Sequence, residues 1–241
     1  MTSIFPILIL NARPGAGKSE ITRYLKDTAA REREERFHLG TPKAFDDFPI
    51  LWSWFEEDEL LERVFKLPRL HSTSDEYFLN DDYWHLLIRR LCLEYDKWKR
   101  DVVGDWTALF EFSRGNNHGG YREAYQHLSD HILMKAAVLY VNVSFEESSR
   151  KNRSRYNPDR PDSIMEHTLT DEKMERLYRD DDWFEFAGGG SGYLTVRDNI
   201  IPYVVLENED DVTTNAGSEL GDRLEVSLAT LWALWNDRPG R

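Results

Sequence analysis

The junction between residues 4–10 and the residues that follow constrains the fold of this 241-residue chain more than any other feature. Ile4-Phe5-Pro6-Ile7-Leu8-Ile9-Leu10 is short, β-branched and apolar on both faces, so it reads as a strand covered by helices on either side of a parallel sheet. A turn rich in Pro and Gly follows, and from Lys18 the period changes. Ile21, Tyr24, Leu25 and Ala29 share one helical face, with Arg31-Glu32-Arg33-Glu34-Glu35-Arg36 closing that helix as a solvated end. Such a strand-to-helix turn aims successive backbone N–H groups, and the positive end of a helix, at one point. It is suited to an anion.

Ala12-Arg13-Pro14-Gly15-Ala16-Gly17-Lys18-Ser19 matches the Walker A pattern in the form with Ala as its first residue. The expected nucleotide-contacting set is Pro14, Gly15, Ala16, Gly17, Lys18, Ser19 and Glu20. Gly15 and Gly17 allow close approach of backbone to phosphate, Lys18 would bridge the β- and γ-phosphates as a catalytic cation, and the Ser19 hydroxyl would ligate Mg²⁺. A Gly-rich turn that binds nothing is the bland alternative, and both the spacing and the flanking elements oppose it. The chain has no Asn-Lys-x-Asp guanine-recognition motif, which favours ATP over GTP.

Further strands are expected near residues 37–45, 106–112, 136–143 and 201–206, and a final helix carries Leu220, Leu224, Leu228, Leu231 and Trp235. Residues 49–103 read as a helical insert, with Leu60, Leu61, Val64 and Phe65 on one apolar segment and Trp84, Leu87, Ile88, Leu91, Tyr95 and Trp98 on another. The Gly188–Gly192 cluster reads as a flexible loop. Strands alternating with helices give an α/β chain: a three-layer fold with a mostly parallel five-stranded sheet and helices on both faces. The whole of 1–241 is read as a single domain.

Acidic groups fall at expected strand ends, where open α/β sheets bind ligands. Asp46-Asp47-Phe48 follows the second strand. Glu111 interrupts the apolar run 108–112, where a carboxylate needs a partner or a metal unless it faces outward. A Walker B hold on the Mg²⁺ shell would supply that. The polar loop 113–122 offers Arg114, and less surely Arg122, to an acceptor substrate, while His118 is either a base or simply exposed. Arg150, Lys151, Arg153, Arg155 and Arg160 place five cations within eleven residues. Pairs at i, i+4, Glu146 with Arg150 and Glu147 with Lys151, explain two of them and leave Arg153 and Arg155 over.

The loop, the Asp-Asp-Phe segment and the basic stretch together resemble P-loop kinases of small molecules and nucleotides, most nearly the uridine kinase-like and seryl-tRNA kinase-like members. The resemblance implies the P-loop NTPase fold and an Asp near the γ-phosphate that accepts the acceptor's proton or helps hold Mg²⁺. Asp46 is the preferred catalytic base and Asp47 the substitute, otherwise a substrate contact. It also implies a lid over about 145–182, in which Arg150 and Arg153, three apart on one helical face, grip the transferring phosphoryl group. A helix near residues 171–178 returns the lid to the core, and the loop 207–212 borders adenine. The resemblance does not reach the insert, where an acceptor would bind.

A formal charge of −13 argues against DNA or any general polyanion as partner. No stretch approaches the roughly 20 apolar residues of a membrane helix, no secretory signal is evident, and one cysteine, Cys92, permits no internal disulfide. A cytoplasmic protein is expected. The reading is an ATP- and Mg²⁺-dependent phosphotransferase acting on a small-molecule or nucleotide-like acceptor. Its alternatives are an ATP-binding regulatory module without an acceptor and an RNA-directed kinase, for which tRNA is the disfavoured partner. A pocket lined by Trp52, Trp54, His71, Tyr77 or Trp84 would favour the kinase, and a filled core there the module.

Overall fold

The structure is a computed structural model that describes residues 3–155, 159 and 168–239. Strand β1 (Ile7–Ala12) leads through the Gly-rich loop into helix α1 (Lys18–Asp27), followed by α2 (Ala30–Phe37) and β2 (Thr41–Asp46). The insert comprises α3 (Phe48–Leu60), a π-helical turn at Leu61–Phe65, and α4 (Asp82–Asp101). Then come β3 (Trp106–Phe112), a 3₁₀ turn at Asn116–His118, α5 (Gly120–Gln126), α6 (Asp130–Leu133), β4 (Ala136–Asn142) and α7 (Phe145–Ser154). The remainder is α8 (Asp171–Tyr178), α9 (Trp183–Ala187), β5 (Ser191–Val196), β6 (Asn199–Glu207), α10 (Val212–Asn215) and α11 (Ser218–Asn236).

The strands form one sheet in the order β2-β3-β1-β4-β6-β5, parallel except for β5. β1 is fully buried, as its unbroken apolar run requires, with β3 on one side and β4 on the other. Alternate residues of the strands feed two cores. Leu8, Leu10, Leu109 and Leu139 pack under α1 and α11, and Ile9, Phe110, Val138 and Tyr140 pack under α4, α5 and α9. This is the three-layer α/β architecture expected, with the Gly-rich loop at the sheet's switch point. Among the described residues no helix is long and apolar enough to cross a membrane.

Four expectations change. The sheet has six strands, because Ser191–Val196 pairs antiparallel with β6 across a two-residue turn at Arg197 and Asp198, burying Leu194 and Val196. The glycine cluster is therefore partly strand. The segment after α1 is a separate helix, and Phe37 ends it rather than opening β2. Arg33 is buried, not solvated, because its guanidinium donates to the carbonyls of Leu25 and Thr28 at the end of α1 and to that of Gly40. In the insert, α4 buries Trp84, Leu87, Ile88, Leu91 and Tyr95, whereas Leu60, Val64 and Phe65 are exposed.

Candidate active site

Gly15 (φ +76°) and Gly17 (φ +106°) hold left-handed conformations, and Gly17 caps α1. A side chain at either would collide with backbone or side chain of neighbouring elements: a Cβ on Gly15 would stand 2.9 Å from the Ser148 carbonyl, and one on Gly17 2.5 Å from Thr213 Oγ1. The loop is braced from several directions. Ser148 Oγ donates to the Pro14 carbonyl at 2.7 Å, and Asn208 Nδ2 donates to that of Ala16 at 2.9 Å. Arg13 donates to the carbonyls of Val143 and Tyr178 and pairs with Asp181 at 2.9 Å. The loop 207–212 thus supports the Gly-rich loop through buried Asn208, while its Asp211 pairs with Lys151 and Arg150.

Lys18 Nζ donates to Ser113 Oγ at 2.7 Å and to the carbonyls of Ala12 and Arg13. The parallel register sets Asp46 directly beside Glu111, on the face of the sheet that α1 covers. Thr22, one helical turn after Lys18, donates to Glu111 Oε1 at 2.7 Å. Burial lowers the Lys18 ammonium's pKa, and the charges of Glu111, Asp46 and Asp47 oppose that shift. Burial raises the Glu111 carboxyl despite the Thr22 bond and the Lys18 charge. Asp46 is pushed up to about 7 by burial, then by the neighbouring charges of Glu111 and Asp47. Like charges that share a recess resist joint ionisation, so this cluster has a proton to give or take near neutrality.

Asp47 and Arg114 do something else. Arg114, 1% exposed, donates to Asp47 Oδ2 at 2.7 Å, to the Ser113 carbonyl at 2.6 Å and to the Trp84 carbonyl at 3.0 Å. Its guanidinium lies against the rings of Trp84 and Phe112. The pair fastens α4 of the insert to the ends of β2 and β3. His118 is buried rather than exposed, with its ring stacked on Trp84 at 3.9 Å and Nδ1 accepting from the Gly115 N–H. Burial, then Arg114, pushes its pKa down to about 3, so it stays neutral at pH 7 and is a poor base there. Arg122 is exposed, donating to the Glu185 carbonyl over the Phe186 ring, and does not line the site.

A cavity of about 740 Å³ opens over these groups. Its floor includes Pro14, Gly15, Lys18, Ser19, Glu20, Asp46, Asp47, Glu111 and Arg114, so the strand-end carboxylates and most of the loop come together. Ala16 and Gly17 lie buried beneath. Trp52, Phe55, Tyr77, Phe78 and Trp84 of the insert form one wall, while Trp54 and His71 stack on each other outside it. Asn152, Arg155, Lys173, Arg176 and Tyr178 form the opposite wall.

The basic segment is the main correction. Arg150 is exposed and pairs with Glu147 and Asp211, and Arg153 is exposed and pairs with Asp171, so neither lines the cavity. Glu147, and not Glu146, is the partner within the helix. Arg155 faces the cavity and donates to both carboxylate oxygens of Glu20. Arg160 lies outside the described residues. Sequence reading also missed Thr22, Lys173 and Arg176. Thr22 had a signal, since four residues from Lys18 it shares that residue's helical face.

No protein-family model matches the chain, and no curated protein matches it. Among 69 matching chains of solved structures is a gluconokinase from Sinorhizobium meliloti 1021. It is 10% identical, the alignment covers 98% of this chain and 99% of that one, and the TM-score is 0.47. So remote a likeness bears on neither activity nor acceptor.

Proposed function

We propose that the chain is an ATP- and Mg²⁺-dependent phosphotransferase that moves the γ-phosphoryl group to a hydroxyl of a small-molecule acceptor. One observation carries this reading: a single cavity joins the Gly-rich loop, the strand-end carboxylates and an aromatic wall supplied by the insert. A module that only bound nucleotide would have no need of that wall.

In this mechanism the loop amides and Lys18 bind the β- and γ-phosphates, and Arg155, rather than Arg150 or Arg153, neutralises charge on the transferring group. Asp47 is committed to Arg114. Asp46, whose Oδ1 accepts the Phe48 N–H at 3.0 Å, is therefore the base. It takes the acceptor's proton while the acceptor oxygen bonds to phosphorus and the bond to the β-phosphate oxygen breaks, leaving ADP. A pKa near the working pH suits that task. The Ser19 hydroxyl and the Glu111 carboxylate are hard oxygen donors at the loop's edge and fit Mg²⁺, which when bound would offset phosphate charge. The insert, about 49–103, and the lid, about 145–182, act as the two walls of one domain.

The test is ADP release with Mg²⁺–ATP across nucleosides, nucleotides, sugars and cofactor precursors. An acceptor should raise release above background, and Lys18→Ala should abolish it while leaving the circular dichroism spectrum unchanged. A folded Lys18→Ala protein as active as wild type would overturn the reading.

A further inference from the structure

Outside the cavity lining, where α4 meets α5, a second cluster of chemistry-bearing side chains has no part in the phosphotransfer reading. His85 lies on α4, Glu123 on α5 and His127 just beyond it, and none of the three lines the cavity. Each offers one ligand atom, and the three atoms lie within 4.8 Å of one another. The two imidazoles stack at 4.3 Å with their planes 11° apart, and His127 Nε2 lies 3.1 Å from Glu123 Oε1. His85 Nδ1 is buried with no hydrogen-bond partner.

We propose that His85, Glu123 and His127 hold a divalent transition-metal ion, Zn²⁺ by preference, that clamps α4 to α5. Two imidazoles and a carboxylate suit Zn²⁺ and do not suit Mg²⁺ or Ca²⁺, which take oxygen. A buried ring nitrogen without a partner is costly, and a metal bond would satisfy it. Glu123 and His127 are four residues apart and share a helical face, so the pair is held together by geometry alone. Gly119 (φ +79°) lies against the cluster: a Cβ there would stand 2.9 Å from that of Glu123 and in ordinary contact, 3.6 Å, with His85 Cε1. With zinc bonds of about 2.0–2.2 Å, binding would require the imidazoles to turn out of their present stacked alignment, 11° apart.

The consequence reaches the active site through α4. Trp84, the residue before His85, stacks on His118 and accepts from Arg114 through its carbonyl. An ion at His85 would therefore fix the aromatic wall from behind, without touching substrate.

Tag-free, chelator-stripped protein titrated with ZnCl₂ in excess Mg²⁺ tests the proposal by calorimetry, with Co²⁺ absorption as a report on coordination. Wild type should bind one equivalent and gain thermal stability from it. His85→Ala and His127→Ala should each weaken binding by more than the roughly 10- to 100-fold that loss of an outer-shell partner costs. Glu123→Gln should weaken it while leaving the fold unchanged, since that side chain is exposed. Circular dichroism on every variant separates lost ligation from lost folding, and His127→Gln replaces any alanine variant that misfolds. Wild type that takes up no zinc, or folded variants that bind it as tightly as wild type, would show the cluster to be a stacked histidine pair only.

Discussion

Asp46 and Asp47 are adjacent, chemically identical and indistinguishable by sequence position, yet the structure gives them opposite fates. Asp47 turns to a guanidinium that is 1% exposed, and Asp46 turns to Glu111 and the loop lysine. What separates them is Arg114, a residue 67 positions away, which no local pattern could place. The pH behaviour follows from the raised Asp46 pKa. A base must be deprotonated, so kcat/KM is expected to fall as pH drops through about 7. Asp46→Asn should remove that limb and lower turnover by on the order of 10²- to 10⁴-fold. Stability has the opposite sign. A carboxyl bound to its proton up to about 7 when folded, and only to about its ordinary 3.8 when unfolded, makes the fold lose stability as pH rises through that window. Asp46→Asn should therefore stabilise the protein by about 1 kcal/mol above pH 7 and give little at pH 4. Thermal melts at both pH values read this directly, and equal shifts at both would assign the effect to something other than ionisation.

At the scale of elements, the strands β1, β3 and β4 and the helix α11 were legible because their patterns are long and unmixed. The errors lie where a tertiary partner overrides local chemistry. β5 begins in a glycine cluster and is held by β6, while Arg33 is buried by its bonds to the end of α1 and Phe37 joins the core shared with α11. In α7, sequence spacing identified a cationic helix without showing which turn meets the cavity. The helix is committed to the Gly-rich loop through Ser148 and to the loop after β6 through Lys151, and Arg155, just past its end, faces the cavity. Arg155→Ala should lower kcat by on the order of 10²- to 10³-fold. Arg150→Ala and Arg153→Ala, which break exposed pairs, should each change stability little and leave kcat near wild type. Steady-state kinetics on the three variants decides between the two ends of the helix. Gly17→Ala tests the brace instead. With φ +106° and Thr213 against the new methyl, it should cost more than about 1 kcal/mol in urea denaturation.

The whole molecule carries a charge of −13, yet at the cavity over the Gly-rich loop Lys18, Arg23, Arg114, Arg155, Lys173 and Arg176 stand among Glu20, Asp46, Asp47, Glu76, Asp81 and Glu111. Overall acidity is thus a poor guide to the charge around a single cavity, where basic and acidic side chains occur together. The insert and α8 also meet across the cavity. Lys173 Nζ pairs with Glu76 at 2.5 Å, and the Arg176 guanidinium lies 4.4 Å from the centre of the Tyr77 ring. Glu76 holds a positive φ of 58°, a strained conformation for a non-glycine residue, so the bridge is held by its surroundings rather than by local preference. Under the proposed function, a bridge of this kind would shield bound nucleotide from water and let an acceptor in only when the walls part. Glu76→Gln removes the charge of the pair while keeping its shape, and Tyr77→Ala removes the platform under Arg176. Both variants should raise the acceptor KM and increase ADP release in the absence of acceptor, with kcat less affected because neither residue has a part in the proposed phosphoryl or proton transfer. If acceptor-free release stayed at the wild-type level in both variants, the bridge would have no sealing role and the walls would act through substrate contact alone.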